Sequence, residues 1–127
     1  MSHKVSIADL IPLFNLRVLL RHDEKYGVNV AHCIETGNVV TAESEEEART
    51  MIKELLEDEI SFALNQKSLK NLFSSPAPLD VLVEWMKAAQ EGTETVKLDV
   101  DIKEAESLII EPKNAPLKNK LEFAKAA

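Results

Sequence analysis

Between Val30 and Ala48 the chain reads VAHCIETGNVVTAESEEEA, and no other run constrains the fold as much. Val30 and His32 alternate with Ala31 and Cys33, the pattern of a strand with two distinct faces. Gly37-Asn38 supplies a turn, because both residues tolerate positive φ. Val39 to Ala42 re-enters as a short strand. Ser44 with Glu47 three residues later is a capping box, in which each side chain satisfies an orphan N–H of a first helical turn. Glu45, Glu46 and Glu47 complement the positive end of that helix. Strand, turn, strand and capped helix therefore follow one another without a linker.

The flanking sequence extends this unit. Leu13 to Arg21 alternates, with Phe14, Leu16, Val18 and Leu20 on one face, and predicts a first strand. His22 to Gly27 is a polar loop ending in glycine, so Val28 to Cys33 returns antiparallel and Val39 to Ala42 completes a three-stranded meander. In the helix from Ser44, Ala48, Met51, Ile52, Leu55, Leu56, Ile60 and Ala63 form an apolar stripe, while Arg49, Lys53, Glu54, Glu57 and Asp58 face water. Gln66 to Leu72 carries mixed signals: helix extension, linker and additional strand all fit. Ser74-Ser75-Pro76-Ala77-Pro78 is a break, since two prolines remove donors and fix φ.

Leu79 to Gln90 predicts a second helix with Leu79, Leu82, Val83 and Met86 as its inner stripe, Trp85 at the domain edge and Gly92 as terminator. Thr95 to Ile102 alternates as a strand. Leu108 to Ile110 is a short apolar run, joined to it as a hairpin through Glu104 to Ser107. From Pro112 onward the sequence reads as a tail, loosely ordered or docked only through Leu121 and Phe123. The expected fold class is α+β: a three-stranded antiparallel meander packed by a long helix, then a second helix and a C-terminal β-hairpin or strand pair. The organisation reads as an arm (1–12), an α+β domain with the second helix (13–92), and a strand extension with tail (93–127).

Composition narrows the function classes. The chain has 127 residues, 45% of them apolar and 29% charged, enough for one core. Its net charge of -7 disfavours direct phosphate-backbone binding, which needs clustered Lys and Arg, and suits a basic protein partner. Cys33 is the one cysteine, which rules out an intramolecular disulfide and fits a reducing, cytoplasmic setting. No run approaches the roughly 20 apolar residues of a membrane span. His32 and Cys33 are adjacent on a strand, so they point to opposite faces and do not pair as base and nucleophile. Gly27, Gly37 and Gly92 are isolated, and no phosphate-cradling loop exists. The carboxylates of the first helix lack a histidine partner and make no metal site. The residues predict no catalytic, cofactor-binding or metal-binding group.

The run Val30 to Glu35 with Gly37, Val39 and Ser44 to Ala48 resembles the signature of HicB-like proteins, the small antitoxin family of bacterial and archaeal toxin–antitoxin pairs. With Leu16 to Leu20 the resemblance covers residues 13–64, under half of the chain. It implies a partial RNase H-like arrangement that lacks the catalytic acids. It also implies homo-oligomers and a small basic ribonuclease toxin as partner, neutralised by binding. An acidic antitoxin would gain association rate from such a partner. The candidate partner-binding residues are His32, Glu35, Glu45 and Glu46. The 35 residues after Gly92 depart from the family, because they show neither a ribbon-helix-helix nor a helix-turn-helix. An orphan structural or oligomeric protein, or a binder of a small ligand or nucleic acid, is the alternative reading.

Overall fold

The computed structural model describes residues 15–66, 70–100 and 120–127. The meander forms as the pattern predicts. Strand β1 (Asn15–Asp23) pairs antiparallel with β2 (Val28–Cys33), and β2 with β3 (Val39–Ala42). Helix α1 (Glu45–Asn65) follows, and Ser44 caps it by accepting a hydrogen bond from the Glu47 backbone N–H at 3.1 Å. Then come α2 (Leu79–Ala89), β4 (Glu94–Lys97) and β5 (Lys120–Lys125). The fold is α+β: a five-stranded mixed sheet in the order β3-β2-β1-β5-β4, with two helices among the described residues.

The main core lies between the sheet and α1. Leu16, Val18 and Leu20 of β1, Ala31 and Cys33 of β2, and Leu121 and Phe123 of β5 share one face. Ala48, Ile52, Leu56, Ile60 and Leu64 of α1 cover it at a spacing of four residues. That ladder is narrower than the expected stripe: Met51 is exposed and Leu55 only half-buried. A second, smaller core on the other face joins Leu19, Ile34 and Ala124 to Val81, Trp85 and Ala88 of α2.

Two expectations are corrected here. The segment expected as a loosely docked tail contains β5, which runs parallel to β1 between β1 and β4 and pairs Asn15 with Lys120 through Leu20 with Lys125. The alternation of Leu121 and Phe123 with Lys120 and Glu122 gives it one buried face, and the ladders on both sides satisfy its backbone. The inner face of α2 is also not the expected one. Val81, Trp85 and Ala88 are buried, with Leu82 half-buried, while Leu79, Val83 and Met86 are exposed. Both stripes are apolar, so periodicity alone did not choose; the stripe that packs combines the large aromatic area of Trp85 with a small alanine, Ala88, that lets the helix approach.

The strand expected over 95–102 is the shorter β4, and Leu98 just after it is buried. The expected arm 1–12 and hairpin 104–110 lie outside the described residues.

Candidate partner-binding surface

His32 sits on β2, directly between Leu19 of β1 and Val39 of β3, and therefore on the α2 side of the sheet. It is 8% exposed, and its Nδ1 is buried with no hydrogen-bond partner among the described residues. Burial, reinforced by the nearby Arg21 charge and opposed by Asp80 of α2, holds the imidazole below its ordinary value. The unfolded chain therefore binds this proton more readily than the folded one. Stability is full above the unfolded value of 6.5 and declines as the pH falls through it towards the lower folded value. Chemical denaturation between pH 7 and pH 5 is expected to show this decline, and His32→Leu to reduce it. A pH-independent difference between the two proteins would overturn the assignment.

Glu35 is tied down on the same side. One carboxylate oxygen accepts from the Arg17 backbone N–H at 2.8 Å and the other from Arg17 Nε at 2.6 Å. The Arg17 guanidinium in turn lies 5.4 Å from the centre of the Trp85 ring. Glu35, Arg17 and Trp85 thus form a stack that fixes the end of β2 and the pose of α2.

Glu45 and Glu46 open α1, on the other face of the sheet. Glu45 pairs with Lys125 of β5 at 2.7 Å and with Arg49 at 3.2 Å, and the Lys125 hydrogen bond holds its carboxyl below the usual carboxylate range. Arg49 also pairs with Glu94 and stacks 4.9 Å from the Phe123 ring centre. Glu46 is exposed and joins no ion pair among the described residues. The four candidate residues do not converge: His32 and Glu35 pack beneath or beside α2, Glu45 fastens α1 to β5, and Glu46 alone is an exposed carboxylate with no ion pair among the described residues.

A better-formed surface lies at the far end of α1. An open groove of about 760 Å³ is lined by Asp58, Glu59, Phe62, Ala63, Gln66, Asn71 and Leu72. Phe62 is 67% exposed, although it stands in the core-packing helix. Glu59 Oε2 is buried there without a hydrogen-bond partner among the described residues. An exposed aromatic face beside carboxylates, one of them with an oxygen that has no donor among the described residues, suits a cationic side chain. Phe62 continues the Met51–Leu55 edge of the α1 stripe, the edge that the sheet leaves exposed or half-buried.

Cys33 faces the α1 core, fully buried, and burial pushes its thiol up to about 11. A thiol so held is a poor nucleophile at neutral pH. Among the described residues no group of three or more His, Cys, Asp or Glu side chains is placed to hold a metal ion, and no helix is long and apolar enough to cross a membrane. Compared with known protein families, characterised proteins and solved structures, the chain matches none.

Proposed function

We propose that the protein is a non-catalytic, HicB-like protein-binding module that takes a small basic protein as partner and self-associates, in the manner of an antitoxin holding its ribonuclease toxin. The observation that carries the partner reading is the Phe62 groove, where an exposed aromatic ring adjoins Asp58 and Glu59, whose Oε2 has no donor among the described residues. An arginine or lysine of a basic partner supplies both the cation for the ring and a donor for that oxygen. The net charge of -7 favours the same encounter. A meander packed by a long helix, with a further strand added to the sheet, is in keeping with the HicB-like resemblance of residues 13–64.

The test is capture of the partner by the tagged chain from its native lysate, identified by intact mass. A stoichiometric small basic protein is expected, with Phe62→Ala and Glu59→Gln each weakening its retention about tenfold or more while leaving the thermal midpoint nearly unchanged. Recovery of the chain without any such protein would overturn the antitoxin reading. Undiminished capture by both variants would move the interface away from this groove.

A further inference from the structure

Helix α2 is apolar on two sides. Val81, Trp85 and Ala88 face the sheet, whereas Leu79, Val83 and Met86, spaced i, i+4 and i+7, are 73%, 42% and 55% exposed. Its three charged residues, Asp80, Glu84 and Lys87, repeat that spacing one position later and so edge the exposed stripe. A shallow groove runs along Leu79, Asp80, Val83, Glu84 and Lys87. An apolar stripe on a helix is ordinarily covered.

We propose that α2 docks antiparallel on α2 of a second copy of this chain, about a two-fold axis beside Val83. The order of the charges selects both the occupant and its direction. Asp80 lies in the first turn and Lys87 in the last. An antiparallel two-fold pair brings the charged edges of both helices to the same side and sets each Asp80 against the Lys87 of the other copy. A parallel two-fold pair would place those edges on opposite sides and lose both contacts. The apolar stripe is self-complementary in the same register: Val83 meets Val83, and Leu79 meets Met86. Such an interface is isologous, as two-fold dimers require.

The register has one flaw, which makes it testable. Glu84 lies close to the axis and faces its own copy, so two like charges oppose each other. The helix is also short, 11 residues or about 16 Å, so the contact is smaller than a standard stable interface and the dimer separates on dilution. The proposal specifies the surface for the self-association named above and rests on that part of the reading alone; partner binding at Phe62 uses a different helix.

Analytical ultracentrifugation of the full chain over a wide concentration range decides the matter. A reversible monomer–dimer equilibrium is expected. Val83→Glu should weaken it at least about tenfold, and Glu84→Gln should strengthen it severalfold by removing the axial repulsion. Circular dichroism of both variants should match the parent, since neither side chain belongs to the core. A monomer at every concentration would overturn the proposal together with self-association itself. A dimer indifferent to both substitutions would overturn the α2 interface and leave self-association to an exposed strand edge.

Discussion

Phe123→Ala is expected to destabilise the fold by about 3–5 kcal/mol, the range for truncating a fully packed aromatic side chain. Phe123 is 2% exposed, stands on β5 beside Val18 of β1, and packs in the same core as Ile52 and Leu56 of α1. Its ring also carries the Arg49 guanidinium, which reaches Glu45 and Glu94. The substitution therefore leaves a cavity and slackens an ion-pair cluster at once. Urea denaturation followed by far-UV circular dichroism measures the loss. A change below about 1 kcal/mol, the ordinary size of a surface substitution or less, would show that residues 120–125 are not integral to the sheet. Glu122→Ala is the control: it lies on the same strand with its side chain on the opposite face.

The second large effect is expected at Gly37. Its φ of +79° is strained for any residue with a side chain, and an added Cβ would collide with the backbone carbonyl oxygen of Ser75 while crowding Pro76. The turn cannot simply retreat. It is closed by hydrogen bonds between Cys33 and Asn38 and between Gly37 and Cys33, and the Ala77 N–H donates to Ile34 O at 2.9 Å. Gly37→Ala is thus expected to cost about 3 kcal/mol or more, combining backbone strain with overpacking. Gly27, at φ +65° with open space around it, isolates the first of these terms. Gly27→Ala should cost about 1 kcal/mol. Equal losses in the two variants, read from the same denaturation curves, would mean that the 34–37 turn and the 75–77 segment are not in contact.

The meander and α1 were legible in the sequence because their signals agree. Alternation in β1 to β3, the glycine turn and the Ser44 cap all specify the same local structure. The position of β5 was not legible. Lys120 to Lys125 offers only two large apolar residues in alternation, and its neighbour in the sheet is β1, at the other end of the sequence. No local rule connects Asn15 with Lys120. For α2 the difficulty was excess rather than lack of signal, since two apolar stripes competed and only the sheet surface decided between them.

The candidate site fared similarly. Glu35 and His32 stand in the run that carries the family resemblance, but their roles follow from Arg17, Trp85 and Leu19, which approach only in three dimensions. Glu45 could be placed at a helix start, but its hold on Lys125 required the parallel strand. The Phe62 groove takes Asn71 and Leu72 from beyond the helix, within the stretch whose sequence signals were mixed.

The parallel pairing of β1 with β5 also dictates an order of events during synthesis. The meander and α1 can assemble as soon as residues 15–66 are available, since their contacts are local. The centre of the sheet stays unzipped until Lys125 has been made, because β1 then waits with one edge bare and Leu16 and Val18 lack Leu121 and Phe123 beside them. Closing such a long loop is slow compared with forming a hairpin. A nascent or prematurely terminated chain consequently presents an open, apolar strand edge of the kind that recruits chaperones or other chains.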